Sequence, residues 1–331
     1  MPETRLDVLC IGNAIVDVIA NATDDFLDAE GLVKGSMRLI DAEEAERLYD
    51  HMGPAHEVSG GSAGNTAAGI AALGGRAGFI GQVAPDQLGG FYRHDLTSAG
   101  VEFITPAADV GVPTARSMIL VTPDGHRTMN TFLGAAQHLP ASALDEDQIR
   151  ASKILYLEGY LWDPETPRYA MVRAIEVARE AGRKVAFTLS DTFCVDRHRE
   201  GFNELLDTGR IHILFANQAE VEALAGIAHL ESAVAAVKDK VEILVVTRSE
   251  DGALAIRGSE RADVPAEPIE KLVDTTGAGD LFAAGFLLGT AQGKSLEQSL
   301  RLGAIAAAEV IQHYGARPEA DLRALAGELG A

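Results

Sequence analysis

The segment Asp274-Thr-Thr-Gly-Ala-Gly-Asp280 runs straight into the apolar stretch Leu281-Phe-Ala-Ala-Gly-Phe-Leu-Leu. Gly277 and Gly279 stand where a turn opens a helix. Such a turn leaves the first N–H groups of the helix without partners, at the positive end of its dipole. Backbone amides of Gly277, Ala278 and Gly279 aimed at one point make an anion hole, suited to phosphate oxygens or to a phosphoryl group in transfer. The next residue, Asp280, supplies a carboxylate able to take the proton of an attacking hydroxyl. The plainer alternative is a glycine-rich loop closed by a capping aspartate. A dinucleotide fingerprint is excluded, because its sixth position, which needs a small residue, is Phe282.

A second glycine cluster, Ser59-Gly-Gly-Ser-Ala-Gly-Asn65, leads into an alanine-rich helix that Gly74-Gly75 closes. Gly60-Gly61 allows close backbone approach, and Asn65 could hydrogen-bond a substrate hydroxyl at the helix start. The same residues match Gly-x-Ser-x-Gly around Ser62, the nucleophile elbow of serine hydrolases. Gly53 to Val58 does not read as the firm buried strand that an elbow follows, so a hydrolase is a remote alternative. Gly289-Thr-Ala-Gln-Gly-Lys-Ser295 has three residues between its glycines where a P-loop has four.

These segments need a scaffold. Leu6–Ile11 and Ala77–Gly81 read as buried strands, and Leu88–Ser98 as a helix. Further strand-like runs are 154–157, 184–189, 211–216, 243–247 and 253–256, with helical stretches such as 167–181 and 219–225 between most of them. This alternation predicts an α/β fold with a doubly wound, mostly parallel sheet flanked by helices. Residues 115–121 and 127–132 flank Pro123-Asp-Gly125 and predict a hairpin. One domain over 1–331 is expected, carrying a small discontinuous β lid from about 13–42 and 103–132.

Of the 331 residues, 47% are hydrophobic, enough for a sizeable core. The 49 acidic and 28 basic residues give a net charge of -21, which repels nucleic acid and anionic membranes. Cys10 and Cys194 form neither a metal-type pair nor a disulfide framework, as expected of a cytoplasmic protein. The apolar run from Val8 to Ile19 is broken by Asn13 and Asp17, so it reads as neither signal peptide nor membrane span.

Taken together, Gly12-Asn-Ala-Ile-Val-Asp17, Gly60-Gly61 with Asn65, Asn217-Gln-Ala-Glu220 and Asp274–Asp280 resemble the PfkB, or ribokinase-like, carbohydrate kinases in order and spacing. The resemblance covers nearly the whole chain. It implies transfer of the γ-phosphoryl group of ATP to a primary hydroxyl, with Asp280 as base and the amides of 277–279 as anion hole. By the same resemblance Asp17, Asn65, Asn13 and Gly61 contact the acceptor. Asn217 and Glu220 are implied near Mg²⁺ and phosphate, through water. Thr247 and Gly252 fall in the implied nucleotide loop, where Arg248-Ser249 departs from the residue-then-glycine of many members. Asp274 and Thr276 match part of a potassium site that the family often uses.

Within the family the chain is most similar to the adenosine-kinase-like bacterial branch, on residues 59–75, 125–134 and 156–162. That implies adenosine as acceptor, giving AMP. Arg127 on the lid hairpin is expected to reach the transferring phosphoryl group. Phe132, Tyr160 and Leu161 are expected to form a slot for a purine face. A ribokinase or fructokinase needs no such slot, so sugars, inosine and guanosine stay open as acceptors. The expected state is monomer or homodimer, with only small-molecule partners.

Overall fold

The apolar run Leu6–Ile11 becomes a strand buried along its whole length. In the computed structural model, which describes residues 4–329, strands and helices alternate from there onward. The strands are β1 (Leu6–Ile11), β2 (Ile15–Asn21), β3 (Met37–Leu39), β4 (Ala55–Ser59), β5 (Ala77–Ile80), β6 (Ala115–Val121) and β7 (Arg127–Phe132), then β8 (Ser152–Glu158), β9 (Lys184–Thr188), β10 (Ile213–Asn217), β11 (Ile243–Thr247), β12 (Ala253–Arg257) and β13 (Glu260–Val264). The helices are α1 (Asp24–Ala29), α2 (Ala42–His51), α3 (Ser62–Ala72), α4 (Gln87–Ser98), α5 (Glu146–Arg150) and α6 (Glu165–Glu180), then α7 (Thr192–Asp207), α8 (Gln218–Ala225), α9 (Leu230–Val237), α10 (Ala278–Ala291), α11 (Leu296–Val310) and α12 (Leu322–Ala326).

Eight strands form the main sheet in the order β13-β12-β11-β10-β9-β8-β1-β5. The pairs from β5 to β11 are parallel, while β12 and β13 close one edge antiparallel. Side chains alternate between two covered faces, as a strand's period of two requires. Val8, Cys10 and Tyr156 pack under α3, α4, α10 and α11. Leu9, Ile11, Leu155 and Leu157 pack under α6, α7, α8 and α9. Burial on both faces is why these strands read as unbroken apolar runs. This is the doubly wound α/β architecture expected. The strand β1 lies between β5 and β8, so connections diverge at its carboxyl end and leave a crevice there.

The second sheet has the order β3-β7-β6-β2-β4. Leu27 and Leu48, from α1 and α2, cover one of its faces with Met118, Leu120 and Phe132. The hairpin falls at the expected turn, with Val121 opposite Arg127. The expected lid segments need correcting at one boundary: the sheet also takes in β4, beyond residue 42, as an edge strand antiparallel to β2. Residues 53–58 did not read as a strand because His56 and Glu57 carry no alternating apolar signal on this exposed edge.

Helix α3 begins at Ser62, so Asn65 lies inside its first turn and not ahead of it. Gly61, its N-cap, has φ of 81°, and a Cβ there would meet the Asn13 carbonyl oxygen at 2.1 Å. Only glycine fits. Cys10 and Cys194 are free and fully buried. Among the described residues, no helix is long and apolar enough to cross a membrane.

Candidate active site

Helix α10 starts after Gly277, which has φ of 79°. A Cβ on Gly277 would lie 2.5 Å from that of Ala316, so both conformation and packing demand glycine. The N–H of Ala278 is turned back onto the Thr275 carbonyl at 3.2 Å. That removes Ala278 from the expected amide trio. The amides of Gly277, Gly279 and Asp280 have no backbone acceptor among the described residues, and nothing lies within 4 Å of a Cβ built on Gly279. The open amides and the open space coincide at one helix start, which is the arrangement an anion hole requires.

The Asp280 carboxylate points back toward α3. It accepts from the Ser62 hydroxyl at 2.7 Å and from the Asn65 amide at 2.9 Å. Burial raises its pKa, against the pull of those two donors and of Arg317. A raised carboxyl with an adjacent space is suited to general-base work. Ser62 donates to an acid and not to a histidine, so the triad logic of a hydrolase is missing. Asn65, expected on the acceptor, here orients Asp280 through its NH₂, while its side-chain oxygen is buried without a partner.

Asp17 lies on β2, where Val16, Val18 and Ala20 are buried on the covered face of the lid. The alternate position puts Asp17 on the other face, opposite Ser117 of β6. Its carboxylate sits against Gly60, 2.4 Å from where a Cβ would be. Burial pushes its pKa up to about 7, opposed by Arg317 and Arg127, with Asp280 adding to the rise. The Asp280 charge therefore reaches Asp17.

Asn13 follows β1 and is held by Glu158, whose Oε1 accepts from both the backbone and side-chain nitrogens of Asn13 at 2.7 Å. Oε2 of Glu158 accepts from the Ala63 N–H at 2.7 Å, near the start of α3. Glu158 is fully buried, and that burial raises its pKa to about 7. Arg317 donates to the carbonyls of Ser59 and Gly64. Sequence reasoning passed over Glu158 and Arg317. Glu158 ends a strand-like run, but nothing local marks it as buried. Arg317 is distant in sequence from everything it touches.

The expected purine slot is not assembled. Phe132 is five residues from Arg127 on β7, so it takes the opposite face and joins the lid's own core. Leu161 is buried with Trp162 beneath α6 and α7. Only Tyr160 stays at the crevice, where its hydroxyl donates to the Ser190 carbonyl at 3.2 Å. Ser190 has φ of 74°, and its hydroxyl accepts the Gly159 N–H at 2.8 Å.

Arg127, expected on the transferring phosphoryl group, reaches from β7 to the 274–280 loop. It pairs with Asp274 at 2.9 Å and lies 3.3 Å from the Thr276 hydroxyl. The Asp274 carboxylate also accepts from the N–H and hydroxyl of Thr276 and from the Gly315 N–H. Asp274 and Thr276, expected to supply part of a potassium site through carbonyls, lie together on this loop with their side chains bonded to each other.

Asn217 and Glu220 open α8 as a capping box: the Asn217 side chain takes the Glu220 N–H, and the Glu220 carboxylate takes the Asn217 N–H at 2.9 Å. Burial raises the Glu220 pKa to about 7 against the pull of the Asn217 N–H, with Asp191 adding to the rise, and Glu220 has no cationic partner among the described residues. A buried acid without a counter-ion fits a hydrated divalent ion nearby. Among the described residues no cluster of His, Cys, Asp and Glu could hold a metal by itself. Thr247 ends β11 beside Asn217. Gly252 has φ of 81°, and a Cβ there would strike the Val264 carbonyl at 2.0 Å. Ser249 keeps φ of 52°, so the loop holds a glycine-like conformation without the glycine.

The sequence model of pfkB family carbohydrate kinases matches residues 5–322. The crystal structure of an adenosine kinase from Sinorhizobium meliloti superposes with a TM-score of 0.90 at 50% identity, covering 98% of this chain and 99% of that one. A probable sugar kinase protein from Rhizobium etli CFN 42 superposes at 0.91 with 49% identity, covering 98% of both chains. The adenosine kinase of Saccharomyces cerevisiae is 27% identical over 332 residues, spanning 93% of this chain and 95% of that protein.

Proposed function

The chain belongs to the pfkB family of carbohydrate kinases, and from that premise we propose that it transfers the γ-phosphoryl group of ATP to a primary hydroxyl of adenosine, giving ADP and AMP. The observation that carries the chemistry is the pairing of Asp280 with the open amides at the start of α10. Asp280, oriented by Ser62 and Asn65, takes the proton of the attacking hydroxyl. The amides of Gly277, Gly279 and Asp280 and the guanidinium of Arg127 offset the charge on the moving group. For Arg127 this means exchanging Asp274 for phosphoryl oxygens. Asp17 and Asn13 grip acceptor hydroxyls, Asp17 by accepting two O–H groups of a vicinal diol. Gly61 lets the acceptor approach the backbone.

The family implies ATP and a divalent metal ion. When bound, magnesium neutralises phosphate charge and orients the phosphates. Glu220 and Asn217 are the residues that would hold it, through water. Thr247 and Gly252 border the nucleotide.

Adenosine rests on the 50% identity to the Sinorhizobium meliloti enzyme. The 49% identity to the Rhizobium etli probable sugar kinase supports a sugar acceptor as the second reading. The test is ADP release with Mg²⁺ over adenosine, inosine, guanosine, ribose and fructose, each with and without K⁺. Turnover on ribose or fructose alone replaces adenosine with a sugar. No turnover on any acceptor overturns the kinase reading.

A further inference from the structure

Residues 315–317 form a short strap after α11, and each makes a different contact with the site. The Gly315 N–H donates to Asp274 at 3.0 Å. Ala316 packs on Gly277. Arg317 crosses to the far side: Nη2 donates to the Ser59 carbonyl at 2.6 Å and to the Ser59 hydroxyl at 2.8 Å, and Nη1 to the Gly64 carbonyl at 3.0 Å. Ser59 ends β4 of the lid, and Gly64 lies in the first turn of α3. Between them is the Gly60–Gly61 turn, which joins β4 of the lid directly to α3 of the main body.

A guanidinium that spends its donors on carbonyls at either end of a glycine pair fixes the angle between the elements they belong to. Ser59 is anchored in turn, through its N–H at 3.0 Å and its hydroxyl at 2.5 Å, on Asp95 of α4. Among the described residues the hydrogen bonds of Arg317 go to Gly64 and Ser59, with no carboxylate in direct contact. Its charge still acts on Asp17 and Asp280, which approach it from β2 and α10.

We propose that Arg317 is a positioning residue for phosphoryl transfer, clamping both sides of the Gly60–Gly61 turn so that Asp17 and Asp280 face one acceptor across a fixed positive charge; the assignment rests on the kinase reading above. Lysine retains the charge but cannot span two carbonyls, so the two parts of the role separate. The groups facing Asp280 are Ser62 and Asn65 from α3, Tyr156 and Glu158 from β8, Tyr160 beyond it, Asp17 from β2, and Arg317. Only Arg317 among them is a cation, so its removal raises the pH at which the base loses its proton.

The experiment compares wild type, Arg317→Met and Arg317→Lys by the pH profile of kcat/KM, by separate KM values for acceptor and ATP, and by amide hydrogen exchange over residues 59–66 without ligand. In Arg317→Met the acidic limb moves up by about one pH unit, as loss of a nearby opposite charge predicts. Its acceptor KM rises while its ATP KM holds. Arg317→Lys keeps the limb and still raises the acceptor KM. Both variants speed exchange at the start of α3. A folded Arg317→Met with unchanged limb, acceptor KM and exchange, losing only thermal stability, overturns the proposal. If Arg317→Met does not fold, unchanged acceptor KM and exchange in Arg317→Lys overturn it equally. A wild type that phosphorylates no acceptor overturns the kinase reading and the catalytic part of this one. Unchanged exchange beside an active wild type overturns the clamp alone.

Discussion

The halves of the site proposed for the acceptor and for the phosphoryl group are built differently. The half proposed for phosphoryl transfer is mostly main chain from one continuous segment, with Gly277 held in a left-handed turn and only the Arg127 side chain reaching in from β7. The half proposed for the acceptor is side chains from separate elements: Asp17 from β2 and Asn13 after β1, braced by Glu158 of β8 and by Arg317. A migrating phosphoryl group is the same in every kinase, so one rigid loop can serve it. Acceptors differ, and side chains on a lid and a core can be varied independently. The difference also explains why the family chemistry is clear while the acceptor is harder to name.

The sharpest way to test this division is at Asp280, the residue where the halves meet. Asp280→Asn should lower kcat by about 10³-fold, the range expected for loss of a positioned base, with acceptor binding retained by calorimetry. Retention of most of kcat would remove the base from the scheme. Arg127→Gln should cost about 10²-fold in kcat, as for loss of one charge-stabilising donor, with acceptor KM little changed. A change in acceptor KM alone would move Arg127 to the other half.

The two glycines make a finer comparison. Gly277→Ala should destabilise the fold by about 1–3 kcal/mol in denaturant unfolding, because φ is positive and Ala316 is in the way. Gly279→Ala should fold normally, since nothing in the protein meets its Cβ. Its kcat should still drop, because the open space belongs to the reactant. Normal kcat in Gly279→Ala would show that the space is idle.

On the acceptor side, protonation of Asp17 removes one hydroxyl-accepting oxygen. With its pKa raised to about 7 by burial, acceptor KM should climb as pH falls below 7, by up to about tenfold per unit, while ATP KM stays level. Stability moves the opposite way. A carboxyl whose folded pKa exceeds its unfolded value favours the fold below the unfolded value, and that contribution is lost as pH rises through about 7. Asp17→Asn should flatten both trends. The smallest effect is expected at Ser249→Gly, which relieves a strained φ of 52° and should change stability by no more than about 1 kcal/mol with kcat unaltered.

Legibility followed the same division. The main sheet was readable because β1, β8, β10 and β11 are buried on both faces, so hydrophobicity alone marks them. The lid was half readable: the hairpin announced itself through Pro123-Asp-Gly125, but β4 is a polar edge and gave no period. Asp280 and the glycines stand out in the sequence because their spacing is local. Ala278 was misjudged because its amide turns back onto Thr275. Phe132 was misplaced because its face on β7 depends on strand register, which side-chain type does not reveal. Arg317 touches Ser59 and Gly64, more than 250 positions away along the chain, and no pattern in its own neighbourhood encodes that.

The two native thiols, Cys10 and Cys194, are both at 0% exposure. A maleimide dye would pass over them in the folded protein. A lone cysteine introduced at Asp124, on the hairpin tip, would therefore take a fluorophore cleanly against an unaltered background, and any movement of the hairpin during turnover would change its signal.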